Sequence, residues 1–357
     1  MAATNQMTPE TGSHAVPDDA DTAPSSSGGL STRVPTPGSS GASTLAGSTA
    51  SRLGDVVFRR LATGSGILVT VVIALIAAFL VITAAPSLID NEANFFTYSG
   101  DWVVDGGALK FGIPKLAYAT LLVSLIALLI AMPIALGIAV FLTEYASKRV
   151  VGPVTYLVDL LAAVPSIVYG LWGILVLGPA MVPVNNWLVA NAGFLPFFAE
   201  PADNVTNMST GGTLLTAGIV LAVMILPIIT AVTREVFVQT PVAHREAALA
   251  LGATKWEVVR TAVLPFGFSG YISGSMLGLG RALGETMALY LIISNTGPMN
   301  FNLMESGETF ATKIANNAAE FDSPAKTGAF ISAGLALFVL TFLVNAAARG
   351  IVGRRQA

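Results

Sequence analysis

GLGRALGETMALYLII, residues 278–293, closes an apolar run that begins near Phe266, and it holds an arginine and a glutamate four residues apart. Crossing the hydrocarbon of a bilayer as a helix takes about 20 apolar residues, and the run 266–293 is long enough. Five further runs of the same kind occupy residues 66–88, 116–142, 156–177, 213–232 and 328–347. Each span must satisfy its backbone polar groups internally, so helices are the default. The alternating period of barrel strands is absent. With 54% apolar and only 11% charged residues in 357, against a usual charged share of roughly a quarter, the chain reads as an all-α polytopic membrane protein with six transmembrane helices.

The net charge of −3 selects no partner class, and nothing suggests nucleic acid. There is no cysteine, and the two histidines are His14 and His244, so no metal site is expected. Residues 1–54 are rich in Ser, Thr, Gly and Pro and cannot bury enough apolar area to fold, which predicts a disordered cytoplasmic tail. The remainder divides into a first transmembrane helix with its outer loop (55–114), a core (115–350) containing a cytoplasmic loop at 234–265, and a basic tail (351–357). With the amino terminus inside, twelve Lys and Arg fall in inner segments and four in outer loops. That bias puts both termini in the cytoplasm. An outer helix is expected over TFATKIANNAAEF, residues 309–321.

Pro133 and Gly137, Pro165 and Pro227 are expected to interrupt the second, third and fourth spans, as happens where a cavity or neighbours re-satisfy freed backbone groups. In the fifth, Gly270, Gly274 and Gly278, and again Gly280 and Gly284, recur every fourth residue. Small residues at that spacing allow close helix packing.

The cytoplasmic loop reads as two short helices. Thr240–Pro241 is a helix start, Gly252 a stop, and Thr254 to Glu257 a capping box opening a helix that Pro265 closes. The first helix exposes Ala247, Ala248 and Ala250, which suits a helix laid in a partner's groove.

Glu246-Ala247-Ala248, Gly252 and Leu264-Pro265 keep the full spacing of the EAA signature, with Ala262 where isoleucine is usual. On these residues the chain resembles the ABC importer permeases of the MetI-like fold. LLAAVPSIVYGLWG (160–173), FLTEYA (141–146) and MLGLGRALGETMA (276–288) resemble the PstC-type permeases of phosphate-specific transporters, from about Asp55 onward. The resemblance implies a multi-pass subunit of the bacterial plasma membrane, with six residues of the loop (Glu246, Ala247, Ala248, Gly252, Leu264 and Pro265) coupling to an ATPase.

Arg281 lies about 22 Å into its span at 1.5 Å per residue, too deep to snorkel to the cytoplasmic side. A charge there costs roughly 2.5–3.5 kcal/mol, which points to a substrate path or to an ion pair fastening the helices. Glu285, one turn on and on the same face, would partly neutralise it. A guanidinium donates two parallel hydrogen bonds to an oxyanion, and the carboxylate would limit how tightly the anion is held. The family resemblance assigns both residues to phosphate transport.

No Walker A pattern occurs, so this chain is no enzyme and binds no cofactor; ATP and Mg belong to a partner. The resemblance implies a PstA-like permease, two copies of a PstB-like ATPase and an extracytoplasmic phosphate-binding protein. A permease for molybdate or sulfate and a membrane scaffold in phosphate signalling are the competing readings.

Overall fold

Proline decides where one of the six spans starts. The computed structural model describes residues 49–105, 109–201, 207–293 and 302–353. Along them run α1 Thr49–Ile89, α2 Pro114–Val140, α3 Lys148–Ala162, α4 Ser166–Trp172, α5 Gly178–Ala192, α6 Asn207–Thr210, α7 Leu214–Val238, α8 Val242–Ala250, α9 Lys255–Val258, α10 Leu264–Leu283, α11 Met287–Ile292, α12 Phe310–Asn316 and α13 Pro324–Gly353. Six stretches are long and apolar enough to cross a membrane: Gly54–Ile89, Pro114–Tyr145, Ser166–Ala192, Leu214–Val238, Lys255–Leu283 and Pro324–Gly350. The third differs from the expected 156–177. Pro165 has no N–H to give to the preceding turn and adopts extended backbone, φ −58° and ψ 139°, at the N-cap of α4. Residues 148–162 therefore form a separate helix, α3, and the crossing begins at Ser166.

Residues 1–63 and 64–357 form two units. Helix α1 starts at Thr49, inside the stretch expected to lack structure. Ala50, Arg52 and Leu53 are helix formers, and a helix already nucleated in the apolar run extends through them. The rest of that expected tail, residues 1–48, lies outside the described residues, as do residues 354–357.

The second and fourth spans are not interrupted. Pro133 sits within continuous α2 and Pro227 within continuous α7. These two helices share the broadest contact in the fold, which holds them helical past a missing hydrogen bond. The contact is built on a ladder in α2, Ala119, Val123, Ala127, Ala131, Ala135 and Ala139, every member buried. Leu221, Met224, Ile225 and Ile229 of α7 are buried as well, most of them in the same core.

On another face of α7 lies α10. Gly270 meets Val236, a methyl on Gly274 would stand 3.0 Å from Val232, and one on Gly278 would stand 2.9 Å from Ile229. Gly280 and Gly284, expected to do the same, do not. A methyl on Gly280 would meet nothing within 4 Å, because it points about 200° away from Gly278 around the helix. Gly284 caps the end of α10.

At the opposite end of the membrane domain from the 234–265 loop, α12 forms where the sequence places it. Thr309 and Thr312 cap each other's backbone, and Phe310 is buried beside Leu116 and Ala333. Lys313 and Glu308 form a buried ion pair at 3.1 Å, and Asn316 Nδ2 donates to the same carboxylate at 2.9 Å.

Gly278→Leu should lower the melting temperature of the detergent-solubilised protein by an overpacking penalty of about 1–3 kcal/mol. Gly280→Ala should leave stability equal or raise it by up to about 1 kcal/mol. Equal losses from both would refute the one-sided packing of α10.

Candidate functional site

The fifth span does not continue through residue 293. Helix α10 ends at Leu283, Gly284 to Thr286 break it, and α11 resumes at Met287. The break displaces Glu285 from the helical face it was expected to share with Arg281. Its carboxylate, only 7% exposed, accepts the Ala288 backbone N–H at 3.0 Å and so caps α11. Among the described residues no ion pair joins Arg281 to Glu285 within 4.0 Å. The expected mutual neutralisation therefore fails, since a backbone donor has taken the carboxylate.

Arg281, half-buried in the last turn of α10, lines a cavity of about 790 Å³ together with Ser273, Gly280 and, from α13, Asn345 and Arg349. Its guanidinium makes no hydrogen bond or ion pair with any described residue. Tyr169 of α4 lies within its electrostatic reach. The Tyr169 hydroxyl donates to the Leu161 carbonyl at 2.8 Å, bridging the backbone gap that Pro165 opens. A methyl on Gly170 would stand 2.8 Å from the Ala288 backbone, and Gly173 fits against Ile292 and Val220. The VPSIVYG and GRALGETMA segments, far apart in sequence, thus pack directly on one another.

The loop at 234–265 holds α8 and α9. Gly252 adopts φ +83°, a left-handed turn that favours glycine, and Thr254 and Glu257 form the capping box. Two details differ from expectation. Thr240 does not cap α8: it is buried, and Pro241 takes the N-cap position. Pro265 does not close a helix either. The chain runs from α9 through a wide π turn, Val259–Val263, straight into α10. In that turn the Leu264 N–H reaches back to the Val259 carbonyl, and Pro265, in the first turn after it, has no donor to misplace. Glu246, Ala247 and Gly252 are exposed, Ala248 and Leu264 are half-buried, and Pro265 is exposed. Ala262 is buried.

One side of α8 is tied to the membrane helices. Arg245 Nη2 donates to the Phe237 carbonyl at the end of α7, at 2.8 Å. The same nitrogen lies 3.1 Å from Glu144 Oε1, an ion pair without hydrogen-bond alignment. Glu144 belongs to a π turn, Phe141–Tyr145, that ends the second span. On the exposed side stand Leu249, Leu251 and Trp256. In the sequence Arg245 and Arg349 stand out only as inner positive charges and Glu144 only within FLTEYA; the usable signal for Glu144 is its position, an acidic residue at the end of an apolar span.

The family described as binding-protein-dependent transport system inner membrane component matches residues 131–356. The chain belongs to this family. The permease is 53% identical over 303 residues to the phosphate transport system permease protein PstC 2 of Mycobacterium tuberculosis, covering 85% of this chain and 93% of that one. To the phosphate transport system permease protein PstC of Mycobacterium leprae it is 51% identical over 280 residues, 78% of this chain and 87% of the other. Its fold is similar to a chain of a bacterial alginate ABC transporter solved with an alginate pentasaccharide-bound periplasmic protein. There the TM-score is 0.51 at 18% identity, over 85% of this chain and 98% of that one. The resemblance read from the EAA loop and GLGRALGETMA is borne out, and the permease is a multi-pass inner-membrane protein.

Glu144→Gln and Arg245→Gln should each lower the melting temperature of the permease, and the double variant should lose less than their sum. A coupling energy of roughly 1 kcal/mol is expected from such a contact. Additive losses in the double-mutant cycle would mean that the 3.1 Å pair does not tie α8 to the second span.

Proposed function

We propose that the permease is the phosphate-conducting subunit of an ATP-driven ABC importer, supplying half of the path beside a PstA-like permease. The observation that carries this is Arg281, a guanidinium within the apolar run 266–293, in the last turn of α10, facing a cavity and holding no partner among the described residues. Leaving a charge unpaired there costs several kcal/mol, and an oxyanion passing through removes that cost transiently. The planar fork donates two parallel hydrogen bonds to phosphate oxygens. Glu285, fixed on the N-terminus of α11, adds negative charge beyond the end of α10. Its presence opposes tight anion retention, and passage requires release as much as binding. Its carboxylate also favours a phosphate that carries a proton over a fully ionised sulfate.

Two copies of a PstB-like ATPase would bind ATP and Mg and receive α8 and its exposed Leu249 and Leu251. Because Arg245 ties α8 to the ends of α7 and the second span, a displacement of α8 would be transmitted into the membrane helices. With the termini and this loop cytoplasmic, as the positive charge bias favours, a phosphate-binding protein would deliver substrate at the α12 side. The PstC relatives support phosphate as the substrate.

ATP-dependent uptake of labelled phosphate, in cells lacking other phosphate importers and co-expressing the partner subunits, tests the reading. Arg281→Gln should abolish uptake at normal membrane levels, while excess unlabelled sulfate or molybdate should leave wild-type uptake intact. Undiminished uptake by Arg281→Gln would remove the residue from the path. Competition by molybdate or sulfate would overturn the substrate.

A further inference from the structure

The cavity that Arg281 lines has a second guanidinium on its wall, from Arg349 near the end of α13. Both arginines line one space, Arg281 half-buried and Arg349 exposed; no carboxylate is among its described lining residues, and neither makes an ion pair or hydrogen bond with a described residue. An oxyanion entering that space would meet positive charge from both α10 and α13. Asn345 precedes Arg349 by one helical turn and so lies on the same face, adding an amide donor to the wall. Ser273, two turns back along α10 from Arg281, adds a hydroxyl.

The position of this second charge follows from chain topology. The loop holding α8 joins the fourth and fifth spans, and the sixth span returns to that same side, ending at Gly350. Arg281 is in the last turn of α10, at the end of the fifth span away from the α8 loop, whereas Arg349 is at the ATPase-facing end of the sixth. The cavity therefore reaches from the last turn of α10 toward that end.

We infer that Arg349 with Asn345 forms a second oxyanion station, taking phosphate from Arg281 on its way out to the ATPase side. This rests on the reading of Arg281 as part of the phosphate path. Two stations of similar character suit conduction, since each lowers the barrier for leaving the other. The same chemistry would hold a lipid phosphate headgroup, since Arg349 stands at the end of its span; what favours free phosphate is the space it shares with Arg281.

The test uses the assembled transporter in proteoliposomes, with ATP and increasing unlabelled inorganic phosphate on the ATPase side and uptake of labelled phosphate as the readout. Internal phosphate should inhibit the wild type, and Arg349→Gln should need roughly tenfold more for half-inhibition, the loss of about one charge-assisted contact. Arg349→Lys, which keeps the charge and loses the fork, should shift in the same direction by less; it is read on the same curve if Arg349→Gln fails to assemble. An unmoved curve in an assembled variant overturns the proposal. The shift should persist in vesicles of phosphatidylcholine alone; a shift confined to vesicles containing phosphatidylglycerol would mean a headgroup anchor and also overturns it. Wild-type import by Arg281→Gln would sink the path reading itself. An inactive Arg281→Gln beside an unmoved Arg349 curve sinks only the second station.

Discussion

Helix α7 is gripped on two faces by helices whose seams are mostly small residues, with Ile126 of α2 filling the space over Gly218 of α7. Lipid tails are as apolar as leucine, so the hydrophobic effect does not press helices together inside a bilayer, and close van der Waals contact has to do it. The alanine ladder of α2 and the glycines of α10 supply that contact by letting backbones approach, while α7 contributes the large residues Met224, Ile225 and Ile229. Both ladders repeat every fourth residue, so each keeps to one side of its helix. Consequently Gly280, about 200° around α10 from Gly278, is turned away from the packed face, while Arg281 stands about 60° from Gly278 at the margin of that face.

Irregular backbone recurs along the spans. There is a break at Gly284 to Thr286, an extended turn at Pro165, and π turns at Phe141–Tyr145, Gly173–Leu177 and Val259–Val263. Two of these are held by side chains: Tyr169 donates across the Pro165 gap, and Glu285 caps α11. Prolines within well-packed helices, Pro133 and Pro227, leave those helices continuous. Pro86, Pro153 and Pro183 also lie inside continuous helices, so a break depends on a proline's surroundings and not on the proline alone.

That dependence on tertiary contact explains what could be read from the sequence. The six spans, the capping box at Thr254 and Glu257, the left-handed Gly252 and the helix after Thr309 rest on local patterns, and the sequence shows them. The start of the third span depended on whether neighbours would bridge Pro165, and the fate of Pro227 on the contact between α2 and α7. Neither lies within any local window. Arg281 stood out as an expensive charge, but the break that parts it from Glu285 followed from Gly284 ending a helix in an otherwise helical apolar run. Glu144 and Arg245 are about a hundred residues apart, and their 3.1 Å contact is visible only once α2 and α8 have been placed.

The treatment of buried charge separates holding from conducting. Lys313 of the outer helix and Glu308 just before it are paired with each other, and Glu308 also accepts from Asn316. Arg245 is divided between Glu144 and the Phe237 carbonyl. Such pairs offset desolvation by mutual attraction and leave no capacity for a transient ligand. Arg281 has a carboxylate four residues away that would serve the same purpose, yet the break at Gly284 directs that carboxylate to the Ala288 N–H instead. The chain therefore carries the materials for a closed structural pair and builds an open cation. An open cation beside a cavity of about 790 Å³ is costly in the resting protein, and that cost falls only when an anion arrives. The same unpaired state that makes Arg281 a poor fastener of helices makes it a reversible seat for phosphate.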